Sequence, residues 1–394
     1  MKILIAGVAS SGHLSGISRH AANLARCLLT IAGVTAVDLV IADWQYESLN
    51  AVISNEDARL TIHCVSVPSD AIGRNVWYYK QVPVLAAQFK ADIVHLAYPA
   101  PVDRSSIHCP VVVTLHDLYP YDIPSNFGFA KVMFNRVILQ QCLRAVDTIA
   151  CVSETTFRRL AVHAPRMAAR KAVTVFNCVD PKPTMAAESP LPGWKQQPFI
   201  LCVAQHRRNK NIVLALQIFR RLLLEKEIAT NALLVIIGIQ GPETQRIHRT
   251  VNEFGLEKQV VFLEGIDDAQ LEWCYKHCEL LLAPSVIEGF GLPVVEAMFH
   301  HCRVVCSDIP AFREVGGSYC HYVPLAPSPE EAFVHAASVA LKSIRFRTPT
   351  TDRYGSALIG KAYFQLYTDL RHTAATIGRH EPYTLAPSLE RGQS

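Results

Sequence analysis

Short apolar runs recur along the chain, separated by stretches whose apolar residues repeat at helical spacing. In the first half the runs are K-I-L-I-A-G (2–7), V-D-L-V-I-A (37–42), I-V-H-L (93–96), V-V-V-T-L-H (111–116), T-I-A-C-V-S (148–153) and A-V-T-V-F-N (172–177). Runs this short and this rich in Val and Ile predict strands buried on both faces. The amphipathic stretches between them predict helices over about 17–30, 76–89, 128–146 and 154–163. The rhythm then restarts. F-I-L-C-V-A (199–204), L-L-V-I-I-G (233–238), Q-V-V-F-L-E (259–264), E-L-L-L-A (279–283) and R-V-V-C-S-D (303–308) predict strands, with helices over about 211–226, 243–254, 268–277 and 292–300. Segments 330–343 and 355–375 also read as helices. Strands alternating with helices in two sets predict an α/β fold with two Rossmann-like parallel sheets. Between the sets, residues 180–194 hold four prolines and a glycine, the composition of an interdomain linker.

The segment E-G-F-G-L-P-V-V-E (288–296) lies between the strand candidates at 279–283 and 303–308. It reads as a loop and short helix at the carboxyl edge of a sheet, where ligands of open α/β sheets bind. Gly289 and Gly291 let the backbone approach a ligand, and Pro293 suits a first helical turn. Free N–H groups at the helix start favour a phosphate. Glu288 and Glu296 would repel that phosphate, so they suit hydroxyl groups on either side of it. Hydroxyls flanking a diphosphate describe a nucleotide sugar. The competing reading is a pair of solvated helix-end glutamates.

Q-H-R-R-N-K-N (205–211) opens a helix after the first strand of the second set. Its Arg207, Arg208 and Lys210 can neutralise a diphosphate or form a solvated basic loop. Gly12 and Gly16, in G-H-L-S-G-I-S-R-H (12–20), leave room for a ligand after the first strand. Arg19 and His20 there can equally be ordinary helix-surface residues. His116, with Asp117 beside it, ends a buried strand and either faces the cleft or caps the sheet. His95 and His108 carry no comparable context.

E-G-F-G-L-P-V-V-E resembles the motif of two glutamates eight residues apart in retaining glycosyltransferases of the GT-B fold, the large group called family 4. G-I-S-R-H-A-A-N-L-A-R-C-L (16–28), T-L-H-D-L (114–118), C-V-S-E-T-T (151–156), V-F-N-C-V-D (175–180) and S-D-I-P-A-F-R-E-V-G-G (307–317) also resemble that family, in its order. The resemblance implies two Rossmann-like domains facing a central cleft. Residues 1–182 would bind the acceptor and 183–197 form a linker. Residues 198–350 would bind the nucleotide sugar, and 351–376 form a helix crossing back to the first domain. Residues 377–394 would be a mobile tail. Lys210 matches the family's phosphate-binding lysine. Its frequent arginine, five or six residues earlier, falls at Gln205, so Arg207 or Arg208 would replace it.

On this resemblance Glu296 binds ribose hydroxyls and Glu288 those of the transferred hexose. Lys210 and the N–H groups of Phe290, Gly291 and Leu292 hold the diphosphate, with Gly16 and Gly289 beside the donor. His116 and Glu288 stand at the reacting centre, and Arg19, His116 and Asp117 on the acceptor side. The expected reaction retains configuration, with mannose the first choice of hexose and a glycan or lipid-linked acceptor in polysaccharide synthesis. Alternatives are a nucleotide-sugar epimerase or phosphorylase of the same plan, or a non-catalytic sugar-nucleotide-binding module.

Composition narrows these classes. Of 394 residues, 38 are Lys or Arg and 34 Asp or Glu, and the excess of four lies wholly before residue 183. So small a bias argues against nucleic acid as a partner but suits an anionic membrane surface. Twelve cysteines form no C-x-x-C pair and no zinc spacing, and read as buried thiols. The chain also lacks a D-x-D triplet, so the expectation is a donor site without metal or other cofactor. No apolar run reaches membrane-span length, and no secretory leader is visible. The expected location is cytoplasmic, with peripheral contact to the inner face of the cell membrane.

Overall fold

The computed structural model describes residues 1–10, 16–50, 53, 57–126, 128–179, 188–343 and 352–376. The first sheet has seven strands: β1 (Lys2–Ala6), β2 (Ala36–Ala42), β3 (Leu60–Val65), β4 (Ile93–Leu96), β5 (Val111–Leu115), β6 (Thr148–Cys151) and β7 (Ala172–Thr174). They lie in the order β3-β2-β1-β4-β5-β6-β7, all parallel. The second sheet holds β8 (Phe199–Val203), β9 (Leu233–Ile237), β10 (Val260–Leu263), β11 (Leu280–Ala283), β12 (Arg303–Ser307) and β13 (His321–Val323). Its order is β10-β9-β8-β11-β12-β13, again parallel. The strand order reverses between β1 and β4 and between β8 and β11, and each reversal opens a crevice at the carboxyl edge.

Helices α1 (Gly16–Leu29), α2 (Tyr46–Asn50), α3 (Ala71–Gln88), α4 (Tyr119–Asp122), α5 (Phe129–Ala145), α6 (Glu154–His163) and α7 (Pro165–Lys171) belong to the first half. The second half contributes α8 (Ile212–Leu224), α9 (Thr244–Phe254), α10 (Asp268–His277), α11 (Leu292–Phe299), α12 (Pro310–Gly316), α13 (Pro329–Lys342) and α14 (Ser356–Thr376). One face of the first sheet packs on α3, α5, α6 and α7. The other packs on α1 and α14, with Ile359, Tyr363, Tyr367 and Leu370 of α14 buried there. The last described helix thus completes the core of the first domain. The second sheet is covered by α10, α11 and α12 on one side and by α8, α9 and α13 on the other.

Differences from the sequence reading have local causes. β3 is missing from it because the strand is an edge strand with only Leu60 buried, so its L-T-I-H-C-V carries little apolar signal. β13 has three residues, below the length a pattern can show. α12, unassigned in the sequence, starts on Pro310. α3 begins five residues ahead of its predicted start because the Asp70 carboxylate accepts the Gly73 N–H at 2.8 Å and caps it. β5 stops at Leu115, which releases His116 into the following loop. Of the predicted linker, 188–197 packs on the second domain, with Leu191 buried and Trp194 edge-on to Trp273. Residues 183–187, Gly12 and the tail 377–394 lie outside the described residues.

Candidate active site

β8 delivers the basic loop and β11 the loop of Glu288, side by side at the second sheet's crevice. Lys210 Nζ donates to both carboxylate oxygens of Glu288, at 2.6 and 2.8 Å. The pair is mostly buried, so it forgoes much of its solvation, and a third partner helps to offset that loss. This partner, Tyr119, comes from α4 of the first domain and donates its hydroxyl to Glu288 Oε2 at 3.3 Å. Asp117 precedes it, accepting the Tyr119 N–H at 3.0 Å. Burial pushes the Asp117 carboxyl up to about 6, while the charges of Arg207 and Lys210 pull it down. Arg207 is therefore the member of the arginine pair that faces this cluster; Arg208 is exposed.

α11 begins four residues after Glu288, at Leu292. Its N-cap, Gly291, has φ +103°, a conformation closed to most side chains. Among the described residues, the N–H groups of Phe290, Gly291 and Leu292 have no acceptor and line the helix start. Gly289 touches the first domain: a Cβ placed there would overlap the His116 carbonyl oxygen. The Gly289 carbonyl accepts the hydroxyls of Ser153 and Thr156 (3.0 Å) from the start of α6. A second contact between the domains lies nearby. The Glu314 carboxylate of α12 accepts the N–H groups of Glu154 (2.6 Å) and Thr155 (2.9 Å), capping α6 across the cleft.

Glu296 sits one turn into α11, its Oε2 accepting the Tyr275 hydroxyl at 2.7 Å. Burial raises its pKa, opposed by Arg19 and by the Tyr275 hydrogen bond. The resemblance puts Arg19 on the acceptor side, and the structure carries its side chain to the other domain, where it pairs with Asp268 at 2.6 Å beside Glu296. Burial works against the Arg19 charge, but Asp268 and Glu296 overcome it and leave its pKa raised. Gly16 is exposed at the start of the same helix.

His116 is partly buried at the cleft floor. Its Nε2 lies 2.8 Å from the Ala97 carbonyl, which can only accept, so Nε2 carries the proton and Nδ1 presents a lone pair. Burial holds its pKa down at about 4. His20 stands edge-on to it, with ring centroids 4.7 Å apart. His20, which the sequence allows on the helix surface, is buried. Its Nδ1 meets Asn177 Oδ1 and its Nε2 meets Thr114 Oγ1, both at 3.0 Å. His95, without context in the sequence, joins Thr114 (2.8 Å) to the Tyr367 hydroxyl (2.6 Å) on α14. The donors run one way, from Tyr367 to His95, Thr114, His20 and Asn177, with the His95 and His20 imidazoles neutral, as burial favours. The polar residues His20, His95, Thr114 and Asn177 within otherwise apolar segments are the hint of this network in the sequence.

The described residues include no group of three His, Cys, Asp or Glu side chains arranged to hold a metal, and no helix long and apolar enough to cross a membrane. Two parallel sheets with facing crevices, joined by a helix that returns to the first domain, define the GT-B class of glycosyltransferases. Residues 14–182 match the family model "Glycosyltransferase Family 4", and residues 188–343 match "Glycosyl transferases group 1". The chain belongs to this glycosyltransferase family. It is 24% identical to an O-antigen chain mannosyltransferase B of Escherichia coli, over 80% of this chain and 85% of that protein. It is 26% identical to the O-antigen chain mannosyltransferase RfbU of Salmonella typhimurium, over 52% of this chain and about half (53%) of the relative's length. Among solved structures, the fold matches a sucrose-phosphate synthase from Thermosynechococcus elongatus with TM-score 0.69 at 17% identity, over 95% of this chain and 100% of the other. It matches WaaG, a glycosyltransferase of lipopolysaccharide biosynthesis, with TM-score 0.62 at 17% identity, over 96% and 100%.

Proposed function

We propose that this glycosyltransferase moves a hexose, mannose first, from a nucleoside-diphosphate sugar to a glycan or lipid-linked acceptor in surface-polysaccharide assembly, with retention of configuration and without a metal. The observation that carries this reading is the Lys210–Glu288 pair beside the free N–H groups of α11. In the free protein, Lys210 and Glu288 satisfy each other. A diphosphate at the helix start would draw Lys210 away, with Arg207 as a second cation, and leave Glu288 to accept hexose hydroxyls. Glu296, across the helix start, would take the ribose. Lys210, Arg207 and the helix N-terminus would stabilise the leaving diphosphate in place of a cation. That diphosphate would then deprotonate the acceptor hydroxyl on the face it leaves. Glu288, held by Lys210 and Tyr119, suits hydroxyl binding better than covalent attack. The Nδ1 lone pair of His116 would accept a hydroxyl of the sugar or the acceptor, and Asp117 would border the acceptor. The two mannosyltransferase relatives support the choice of mannose.

The first domain offers a surface for a lipid-linked acceptor. Ile72, Val76 and Tyr79 on α3 and Phe129, Met133 and Val137 on α5 are exposed, on helices covering one face of the sheet, with Lys80 and Lys131 exposed among them. Apolar stripes flanked by lysines suit an anionic bilayer. In flotation with phosphatidylglycerol vesicles, Phe129→Asp with Val137→Asp should release the protein.

The test of the donor is thermal unfolding with GDP-, UDP-, dTDP- and ADP-sugars in EDTA, for the wild type and Glu296→Ala. At about a hundred times its dissociation constant a ligand adds roughly 2.7 kcal/mol. Stabilisation of the wild type alone by one nucleotide class identifies the donor. Stabilisation by none sinks the donor assignment. The anomeric configuration of the product, read by NMR, decides retention.

A further inference from the structure

Glu296 lies on the second domain, yet two neighbours determine its state and one of them belongs to the first domain. Tyr275, on α10, is fully buried and donates its hydroxyl to Oε2 at 2.7 Å. That bond fixes the carboxylate's rotation and leaves Oε1 to be shared with a ligand. His300 stacks over the Tyr275 ring, centroids 5.6 Å apart, and limits its movement. Asp268 lies two helical turns before Tyr275, on the same side of α10, and holds Arg19 of α1 at 2.6 Å. Arg19 is the cation whose charge acts on Glu296. The charged and titratable groups facing Glu296 are thus Arg19 from one domain and Tyr275 and Asp268 from the other.

We propose that Tyr275 and Arg19 are positioning residues for Glu296: Tyr275 sets the carboxylate's orientation and Arg19, carried in by the first domain and held by Asp268, places a cation beside it, so ribose recognition is complete only when the two domains meet. The inference rests on the reading of Glu296 as the ribose ligand. Two consequences follow for nucleotide binding. Discrimination between ribose and deoxyribose depends on a hydroxyl that never touches the ligand. Nucleotide affinity and domain closure are linked, because Arg19 meets Asp268 beside Glu296 only across the cleft, and whatever closes the cleft must strengthen ribose binding by the same factor.

The experiment is calorimetric titration of the full-length chain with GDP, UDP, dTDP and ADP and with the 2′-deoxy and 3′-deoxy forms of the ribonucleotides. For the ribonucleotide that binds the wild type, loss of a ribose hydroxyl is expected to weaken binding at least tenfold. Tyr275→Phe and Arg19→Met should each shrink that ratio below threefold while leaving affinity for the deoxynucleotide unchanged. Tyr275→Phe should leave the small-angle scattering profile as it is, whereas Arg19→Met should open it. Asp268→Asn, which frees Arg19 and removes the acidic neighbour of Glu296 while leaving the Glu296 side chain and its Tyr275 bond in place, should weaken the ribonucleotide only and covers the case in which Tyr275→Phe fails to fold. If Glu296→Ala loses the ribose preference and the Tyr275 and Arg19 variants keep it, the positioning roles are overturned and Glu296 stands. If the wild type shows no ribose preference, or Glu296→Ala retains it, the ribose reading and this inference fall together.

Discussion

Gly289→Ala adds a single methyl group at a point where the backbones of the two domains touch. The methyl would overlap the His116 carbonyl oxygen. Neither neighbour is a flexible side chain that can turn aside, so the loops must part. Parting them removes the hydroxyl bonds from Ser153 and Thr156 to the Gly289 carbonyl and stretches the 3.3 Å bond between Tyr119 and Glu288. Two neutral hydrogen bonds contribute about 1 kcal/mol each, and a methyl group forced into a packed contact costs about 1–3 kcal/mol. Some of this is recovered as water reaches the freed groups. The closed arrangement should therefore lose about 2–4 kcal/mol relative to an open one, roughly a thirtyfold to several-hundredfold shift in the equilibrium. Each domain keeps its own core, so melting should barely change. Small-angle scattering of the free protein should show a larger radius of gyration, and turnover of the donor should fall by a similar factor. A Gly289→Ala protein with wild-type scattering and turnover would refute the contact as the closure point.

Three further outcomes are expected. Lys210→Met strands a mostly buried Glu288 and should lower stability by about 2–4 kcal/mol in thermal melts, whereas Lys210→Met with Glu288→Leu should recover most of it, because a buried ion pair roughly balances its own desolvation. Asp117 ionises at about 6, and above that pH its charge faces Arg207 and Lys210 and competes with a diphosphate; nucleoside-diphosphate affinity should rise as pH falls through 6, and Asp117→Asn should bind more tightly at pH 7.5 with a flat profile. His95 and His116 take protons in the folded state only at about 3 and about 4, whereas the unfolded chain takes them near 6.5; stability is therefore full above 6.5 and falls below it, by about 1.4 kcal/mol per pH unit for each histidine until the folded values are reached, and melting temperatures of His95→Gln should fall less steeply between pH 6 and 4.5.

The two-domain plan was legible because buried parallel strands are written as unbroken apolar runs, as V-V-V-T-L shows in β5. The two strands that escaped, β3 and β13, lie at sheet edges, where the pattern has no reason to be strict. The donor-side loops were legible for a different reason: cations, glycines and carboxylates at a strand's end have few structural uses. What stayed hidden depends on which elements meet. Nothing local to Arg19 says that it will pair with Asp268, 249 positions away. His95 sits in an apolar strand, and only the packing of α14 supplies the Tyr367 hydroxyl that makes a buried imidazole tolerable there. Glu314 likewise shows its use only once α6 of the other domain arrives beside it.

The return of α14 to the first sheet also determines how the chain can be made. A ribosome releases the seven strands of that sheet, and then the whole second domain, before it releases the helix that seals the first. Throughout that interval only α1 and α2 cover the face carrying Ile3, Ile5, Leu39 and Ile93, the part that α14 seals stays open, and His95 lacks its Tyr367 partner. Until α14 arrives the first domain keeps part of an apolar face uncovered, the kind of surface that makes a partly made chain prone to association. A chain cut short before Ser356 retains Lys210, Glu288 and Glu296 and still lacks the Ile359, Tyr363, Tyr367 and Leu370 side chains that complete its first core.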